Sequence, residues 1–383
     1  MAFLSNLFGK NFMKNEEPRA LGIDIGSSAI KVVQLKRHGA QAVLETYGEL
    51  ALGPYGGAVV GQSVQLPPEK IAQALIDLMK EKEVNITTNK SGVSIPFSSS
   101  LMSVIEMPQV GHKQLETMVP FEARKYIPVP ITEVMLDWSI IPRSVNGPQV
   151  DEPPPLGSTP LQAGTPMESL PKIDVLVVAI HKDTIGRYQD IVTRAGLETG
   201  FFEIELFSTM RSILEETLRP MLIMDMGAAS TKLYVVERGI VRGSHTVNRG
   251  SQDITASLAT ALNISADKAE VLKREVGLTG SDQNFTDVIR LVLDYVFAEA
   301  NTTLLAYEKK FNKTVSKALL VGGGASLKGI IDLAKNSLKT EVELGLPFNK
   351  VAAPAFLENV LRETGPEFAV AVGLALRKLA EEE

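Results

Sequence analysis

The chain contains no cysteine. That excludes a disulfide framework and any thiolate metal site, and it agrees with a reducing compartment. Tryptophan occurs once, at Trp138, where it suits either a core or the lining of a groove. The four histidines, His38, His112, His181 and His245, are scattered without the spacing of a metal centre. Neither a Ser-His-Asp arrangement nor a G-x-S-x-G elbow is present. Basic residues are in deficit, 39 Lys and Arg against 45 Asp and Glu. No cationic surplus exists to neutralise nucleic-acid phosphates. No apolar run approaches the roughly 20 residues that span a bilayer; residues 175–180 and 369–376 are core-sized. The first apolar residues are interrupted by Ser5, Asn6, Gly9 and Lys10 and read as no secretory signal.

What is present is enough apolar material for two cores, 44% of 383 residues. Residues 1–19 place Phe3, Leu4, Leu7, Phe8, Phe12 and Met13 near helical spacing. They read as an arm packing on the body or a partner, or as an amphipathic helix at a membrane surface. Residues 21–25 and 30–35 read as strands of a hairpin, and 69–82 as a helix with Ile71, Ala72, Leu75, Ile76 and Met79 on one face. Residues 91–180 read as a small α+β unit, with strands at 91–95, 101–107, 135–141 and 174–180 and a helix over 112–125. Within it, the proline-rich stretch 143–172 reads as a disordered or extended loop. Residues 220–236 repeat the opening hairpin. Helices are expected over 251–275, 287–311 and 366–379, and a buried strand over 318–321.

The repeat carries the chemistry. Leu21-Gly22-Ile23-Asp24-Ile25-Gly26-Ser27-Ser28-Ala29-Ile30-Lys31 aligns with Leu222-Ile223-Met224-Asp225-Met226-Gly227-Ala228-Ala229-Ser230-Thr231-Lys232. Each copy is an apolar strand ending in Asp, a small-residue turn and a returning strand. Gly26, Ser27 and Ser28, and Gly227 and Ala228 in the second copy, let backbone N–H groups approach anionic oxygens. Lys31 supplies a compact positive charge. Asp24 and Asp225 suit Mg²⁺ held through water. Two such turns face to face would grip a polyphosphate. A third turn, Gly322-Gly323-Gly324, follows a buried strand and leads towards Ser326, where a helix is expected to begin. Its glycines would let a flat base lie against the backbone.

In this order, the three segments resemble the phosphate-1, phosphate-2 and adenosine motifs of the actin/Hsp70/sugar-kinase superfamily. Within it, the chain resembles the PilM family of type IV pilus assembly, relatives of the division protein FtsA. Glu122-Ala123-Arg124-Lys125-Tyr126-Ile127-Pro128 and Glu203-Ile204-Glu205-Leu206-Phe207-Ser208 add to that likeness. The resemblance implies a bilobal actin-like α/β fold, a duplicated ribonuclease H-like unit with an inserted α+β 1C-type subdomain. Its divisions would be an arm at 1–19, a first lobe at 20–90, the insert at 91–182, the lobe's return at 183–219, a second lobe at 220–365 and a closing helix at 366–383. The resemblance implies ATP and Mg²⁺ as ligands. Asp24, Ser27, Ser28 and Lys31 would act from one side, Asp225, Gly227 and Ala228 from the other. Gly322, Gly323 and Ser326 would line the adenosine pocket, and Glu270 and Lys273 would bracket ribose and base.

Superfamily chaperones carry an acidic residue seven positions after the second Asp; here it is Lys232. Glu205 is the water-orienting carboxylate left, so tight binding with slow hydrolysis is expected. The implied partner is the cytoplasmic tail of a PilN-like inner-membrane protein, bound in an extended form. Self-association is a further expectation, and membrane contact would be indirect, at the inner face of the inner membrane. Two alternatives are an FtsA-like polymerising protein, disfavoured by the acidic end Glu381-Glu382-Glu383, and a small-molecule kinase.

Overall fold

The computed structural model describes residues 17–141, 171–215 and 219–382. Strands β1 (Arg19–Ile25), β2 (Ala29–His38) and β3 (Gln41–Ala51) form an antiparallel meander, followed by helix α1 (Pro68–Lys80) and strand β4 (Lys90–Ile95). Then come β5 (Ser100–Pro108), α2 (His112–Ala123), β6 (Val134–Ile141), β7 (Lys172–His181), α3 (Lys182–Arg194), β8 (Glu198–Ile204) and α4 (Glu205–Ile213). The second half opens with β9 (Met221–Met226), β10 (Thr231–Glu237), β11 (Ile240–Val247), α5 (Ser251–Leu262) and α6 (Ala266–Glu275). It continues with α7 (Gln283–Phe311), β12 (Lys317–Val321), α8 (Ile330–Ser337), β13 (Glu341–Leu344), α9 (Glu358–Thr364) and α10 (Ala369–Glu381).

The duplication is structural. One sheet runs β3-β2-β1-β4-β8 and the other β11-β10-β9-β12-β13. In each, a hairpin supplies the antiparallel strands and helical crossovers bring in the parallel ones. The central strands are apolar because both faces are covered: Leu21, Ile23, Leu222 and Ile223 are fully buried. A separate three-stranded sheet, β5-β7-β6, packs Val175, Val177 and Ala179 against Leu115 and Val119 of α2. Trp138 lies half-buried against that core beside His112, with ring centroids 5.1 Å apart.

Helix α10 returns to the first half and fixes its back face. It packs so closely that a Cβ on Gly22 of β1 would lie 1.9 Å from the Ala371 carbonyl. A Cβ on Gly373 of α10 would lie 1.9 Å from the Ser208 carbonyl of α4. Only glycine permits either approach. Glu203 clamps the same layer: Arg211 donates to both its oxygens at 2.7 and 2.8 Å, and Arg377 of α10 donates at 2.7 Å.

Several expectations need correction. Strand β4 belongs to the first sheet, between β1 and β8, and not to the inserted unit. Its parallel partners lie far off in sequence, so no local pattern assigned it. Residues 251–275 form two helices, because Asn263 turns left-handed (φ 51°) and Ser265 caps the second. Helix α7 starts earlier than residue 287, where the Asp282 carboxylate accepts the N–H of Asn284 at 2.9 Å. No α-helix begins at Ser326: a 3₁₀ turn spans Gly323–Ser326, and α8 starts at Ile330 after left-handed Gly329. The closing segment is a 3₁₀ turn, Gly365–Phe368, leading into α10. Arg19, placed in the arm, opens β1; the rest of the arm up to residue 16 and most of the proline-rich stretch lie outside the described residues.

Candidate functional site

The two hairpin turns are built alike. In the first, Asp24 pairs with Lys31 across the ladder and the Gly26 N–H donates to the Ala29 carbonyl at 3.0 Å. In the second, Asp225 pairs with Lys232 and the Gly227 N–H donates to the Ser230 carbonyl at 3.0 Å. The turn carbonyls are engaged from outside. Ser27 and Ser28 accept the N–H groups of Val64 and Leu52, at 2.9 and 2.8 Å. Gly227 and Ala228 accept those of Ser251 and Gln252 at the start of α5, both at 3.0 Å. In a trans peptide the next amide points opposite to the carbonyl. The N–H groups of Ser28, Ala29, Ala228 and Ala229 are therefore directed to the other side of each turn.

Both turns line one cleft of about 360 Å³ between the halves. Asp24, Gly26, Ser27, Ser28 and Lys31 contribute from the first half, Asp225, Gly227 and Ala228 from the second. Gly322, Gly323, Gly324 and Ser326 border it, as do Glu270, Lys273 and Glu205. All the residues singled out from the sequence are thus brought together.

The glycine turn has a division of labour. Gly322 has φ 81°, and a Cβ there would lie 2.6 Å from Asp225 Oδ1. A Cβ on Gly324 would come within 2.9 Å of Met226 Cβ. These two glycines seat the turn on the end of β9. Around Gly323 the nearest atom to a Cβ would be Glu367 Oε2 at 3.7 Å, an ordinary contact distance, so a side chain would fit here without displacing a neighbour. The Ser326 hydroxyl donates to the Glu363 carbonyl at 3.4 Å, at the exposed rim.

Charges in the cleft are paired. Asp24 accepts the Ser94 hydroxyl at 2.8 Å; burial pushes its pKa up, and Lys31 and Ser94 only partly offset this. Lys31 contacts Glu49 at 3.0 Å and Glu367 at 4.0 Å. Burial works against the Lys31 charge, yet these carboxylates outweigh it and hold the pKa above its usual value. Lys232 reaches Glu205 at 2.7 Å and Asp225 at 3.5 Å. Glu205 also accepts the Phe97 N–H at 2.7 Å, and its pKa is raised by burial despite Lys232. Farther along, Lys273 donates to Glu270 at 2.7 Å and to Thr255 at 2.9 Å, while Arg274 donates to the other Glu270 oxygen at 2.6 Å. Burial lowers the Lys273 pKa, with Glu270 partly restoring it.

The first half also reaches over this corner. The Ser63 N–H donates to the Gln252 side chain at 3.0 Å, and Gly61 (φ 84°) lies so near that a Cβ would be 2.6 Å from a Glu270 oxygen. Sequence reading missed Glu49, Gly61, Arg274 and Glu367 as parts of the cleft. Glu49 lies on a strand that was not foreseen, and the others are ordinary surface types whose position depends on chain crossings.

Two five-stranded sheets of matching order, closing on one cleft and tied by a returning helix, define an actin-like α/β protein. The chain belongs to the type IV pilus assembly protein PilM family, whose model matches residues 22–152 and 162–379. It is similar to a solved "PilM-PilN type IV pilus biogenesis complex" chain, with 26% identity and a TM-score of 0.75 over 94% of this chain and 98% of that one. Similarity to MreB 5 of Spiroplasma citri, solved bound to AMPPNP, is one of fold alone, with 11% identity and a TM-score of 0.50 over 95% and 97% of the two chains. The cell division protein FtsA of Neisseria meningitidis serogroup B is 21% identical over 333 residues, 80% of this chain and 77% of that protein. Among the described residues, no helix is long and apolar enough to cross a membrane.

Proposed function

We propose that this chain is an ATP-binding adaptor of type IV pilus assembly that captures the cytoplasmic tail of a PilN-like inner-membrane protein. The observation that carries this reading is the convergence of two Asp-x-Gly hairpins, each closed by the same glycine N–H bond across its turn, on one cleft. The outward amides of Ser28, Ala29, Ala228 and Ala229 would bind phosphate oxygens, and Asp24 and Asp225 would hold Mg²⁺ through its water shell. One or two carboxylates are the usual protein share of a Mg²⁺–nucleotide site. The metal would supply charge neutralisation for the phosphates. Gly323 would offer backbone to the base, with Glu270 and Lys273 beside the ribose.

Glu205 orients water poorly while Lys232 and the Phe97 amide occupy one of its oxygens. Hydrolysis is slow on this reading, and the nucleotide acts by holding the angle between the halves. The sheet β5-β7-β6 leaves β5 and β6 as edges among the described residues, with Val104 and Met135 exposed. An extended tail can add to such an edge by main-chain pairing. The chain would sit at the inner face of the inner membrane through that partner.

Calorimetric titration of ATP with Mg²⁺, with and without a PilN-like tail peptide, tests the reading. Binding of nucleotide that strengthens peptide binding is the expected result. Identical peptide affinity in both states defeats the coupling, because a ligand shifts an equilibrium only through differential binding.

A further inference from the structure

Strand β10 alternates its side chains, so Lys232, Tyr234 and Val236 share one side. That side meets the first half. Tyr234 and Val236 lie in one core with Leu206 and Met210 of α4, and Met102 of β5 and Val178 of β7 pack against it. Phe97 joins them from a 3₁₀ turn, Phe97–Ser99, between β4 and β5. Its ring meets Tyr234 edge to face, with centroids 5.2 Å apart and planes at 81°, a geometry that aromatic pairs favour. The Phe97 N–H donates at 2.7 Å to Glu205 Oε1, the oxygen that Lys232 reaches at 2.7 Å. Two residues on one side of β10 thus hold both partners of a single hydrogen bond. Asp225 lies 3.5 Å from the same lysine. A carboxylate of the cleft is therefore joined to Phe97 through Lys232 and Glu205.

The inserted sheet depends on this root. Among the described residues, β5-β7-β6 pairs with no strand of either five-stranded sheet. No ladder of backbone bonds fixes its tilt, so packing at the root must do so. Phe97 stands where the chain leaves the first sheet, two residues after Ile95, which still pairs with Ile204 of β8. The Phe97 carbonyl accepts the Ser100 hydroxyl at 2.8 Å, and Ser100 begins the β5–β7 ladder opposite Ile180. A shift of Phe97 is passed to both strands. No described residue from 97 to 181 lines the cleft, so the insert has no direct share in it.

We propose that Phe97 is a positioning residue for tail binding, carrying the movement of β10 on nucleotide binding into the tilt of β5-β7-β6. This rests on the reading of the chain as a nucleotide-dependent binder of a tail. Calorimetry of a PilN-like tail peptide with the full chain, with and without ATP and Mg²⁺, separates the two. In the parent, nucleotide should tighten peptide binding by about tenfold, a usual size for coupling between sites. Phe97→Ala keeps the N–H but removes the ring that ties it to β10, and the gain should fall to about twofold or less. Its ATP affinity should change by less than about twofold, because Phe97 lies outside the cleft. Phe97→Tyr, which keeps the ring, should restore the gain. A merely structural role would weaken peptide binding equally in both states and leave the ratio intact. A full gain in Phe97→Ala overturns this inference and leaves the adaptor reading standing, whereas no gain in the parent removes both. Hydrogen exchange of the parent gives a second measure that needs no variant. ATP with Mg²⁺ should change exchange in β5 and β7, and unchanged exchange there overturns the proposal.

Discussion

The two hairpins share a sequence pattern and a backbone, yet their lysines have different company. Lys31 turns to Glu49 and Glu367 at one wall of the cleft, and Glu49 is about one-third exposed. Lys232 reaches across to the first half, to Glu205 on α4, and also holds Asp225. Glu205, Asp225 and Lys232 are each less than one-fifth exposed. The repeat therefore supplies two copies of a phosphate-sized turn, while the lysine of the second copy also pairs with the aspartate of its own turn, Asp225, at 3.5 Å. Identical local segments acquire different electrostatic roles from the elements that cross behind them.

The comparison can be broken most severely at the aspartates. Replacing both, as Asp24→Ala with Asp225→Ala, should lower Mg²⁺-dependent ATP affinity by more than about 100-fold, each charged contact being worth roughly 1.5–3 kcal/mol. Either single change should cost less, and circular dichroism should report an intact fold. Unchanged affinity in the double variant would mean that the paired turns do not hold the nucleotide.

The lysines sharpen it next. Lys232→Met leaves two mostly buried carboxylates without their cation and should destabilise the chain by about 3 kcal/mol in urea unfolding. Lys31→Met should cost about 1 kcal/mol, since Glu49 can turn to water. Equal costs would remove the distinction drawn between the two hairpins.

A third test uses pH. Burial pushes the Glu367 carboxyl up to about 7, with Lys31 opposing and Glu49 reinforcing the shift. Its unfolded value is near 4.5, so between these values the folded chain holds a proton that the unfolded chain has released. That contribution to stability is complete below about 4.5 and is lost as pH rises to about 7. Glu203 behaves oppositely: burial resists its charge, but Arg211, Ser208 and Arg377 outweigh it and lower the pKa. Its stabilisation is present above the usual carboxylate value and fades as pH falls through the lowered one. Glu367→Gln should flatten the melting temperature between pH 5 and 7, while Glu203→Gln should lower it most at neutral pH. A Glu367→Gln profile parallel to that of the parent would reject the assignment.

The smallest effect is expected at the contact between Ser63 and Gln252. Gln252→Ala removes one neutral hydrogen bond between the halves and should weaken ATP binding by about threefold, in line with roughly 0.5–1 kcal/mol. No change would show that this corner closes without that bond.

Legibility in the sequence followed the range of each interaction. The hairpins could be read because Asp24, Gly26 and Lys31 repeat at the spacing of Asp225, Gly227 and Lys232 within eight residues. Strand β3 escaped notice because it buries only Leu44 and Gly48 and shows no clean alternation. Strand β11 is also weakly patterned, and a register shift on its partner β10 falls between Val235 and Val236. Glu270 and Lys273 came from resemblance alone; singly they look like solvated helix charges, whereas the fold buries both against Thr255.

The sequence by itself determined the apolar strands, the small-residue turns that end them and the fact that the pattern occurs twice. Steric freedom at glycine and strand periodicity act over a few residues and need no partner. Tertiary structure decided that the two turns face one cleft, that β4 joins the first sheet, and that Lys232 neutralises Glu205 from the other half. Those outcomes depend on parallel strand pairing and on the close passage of α10 over Gly22, contacts whose residues lie far apart along the chain.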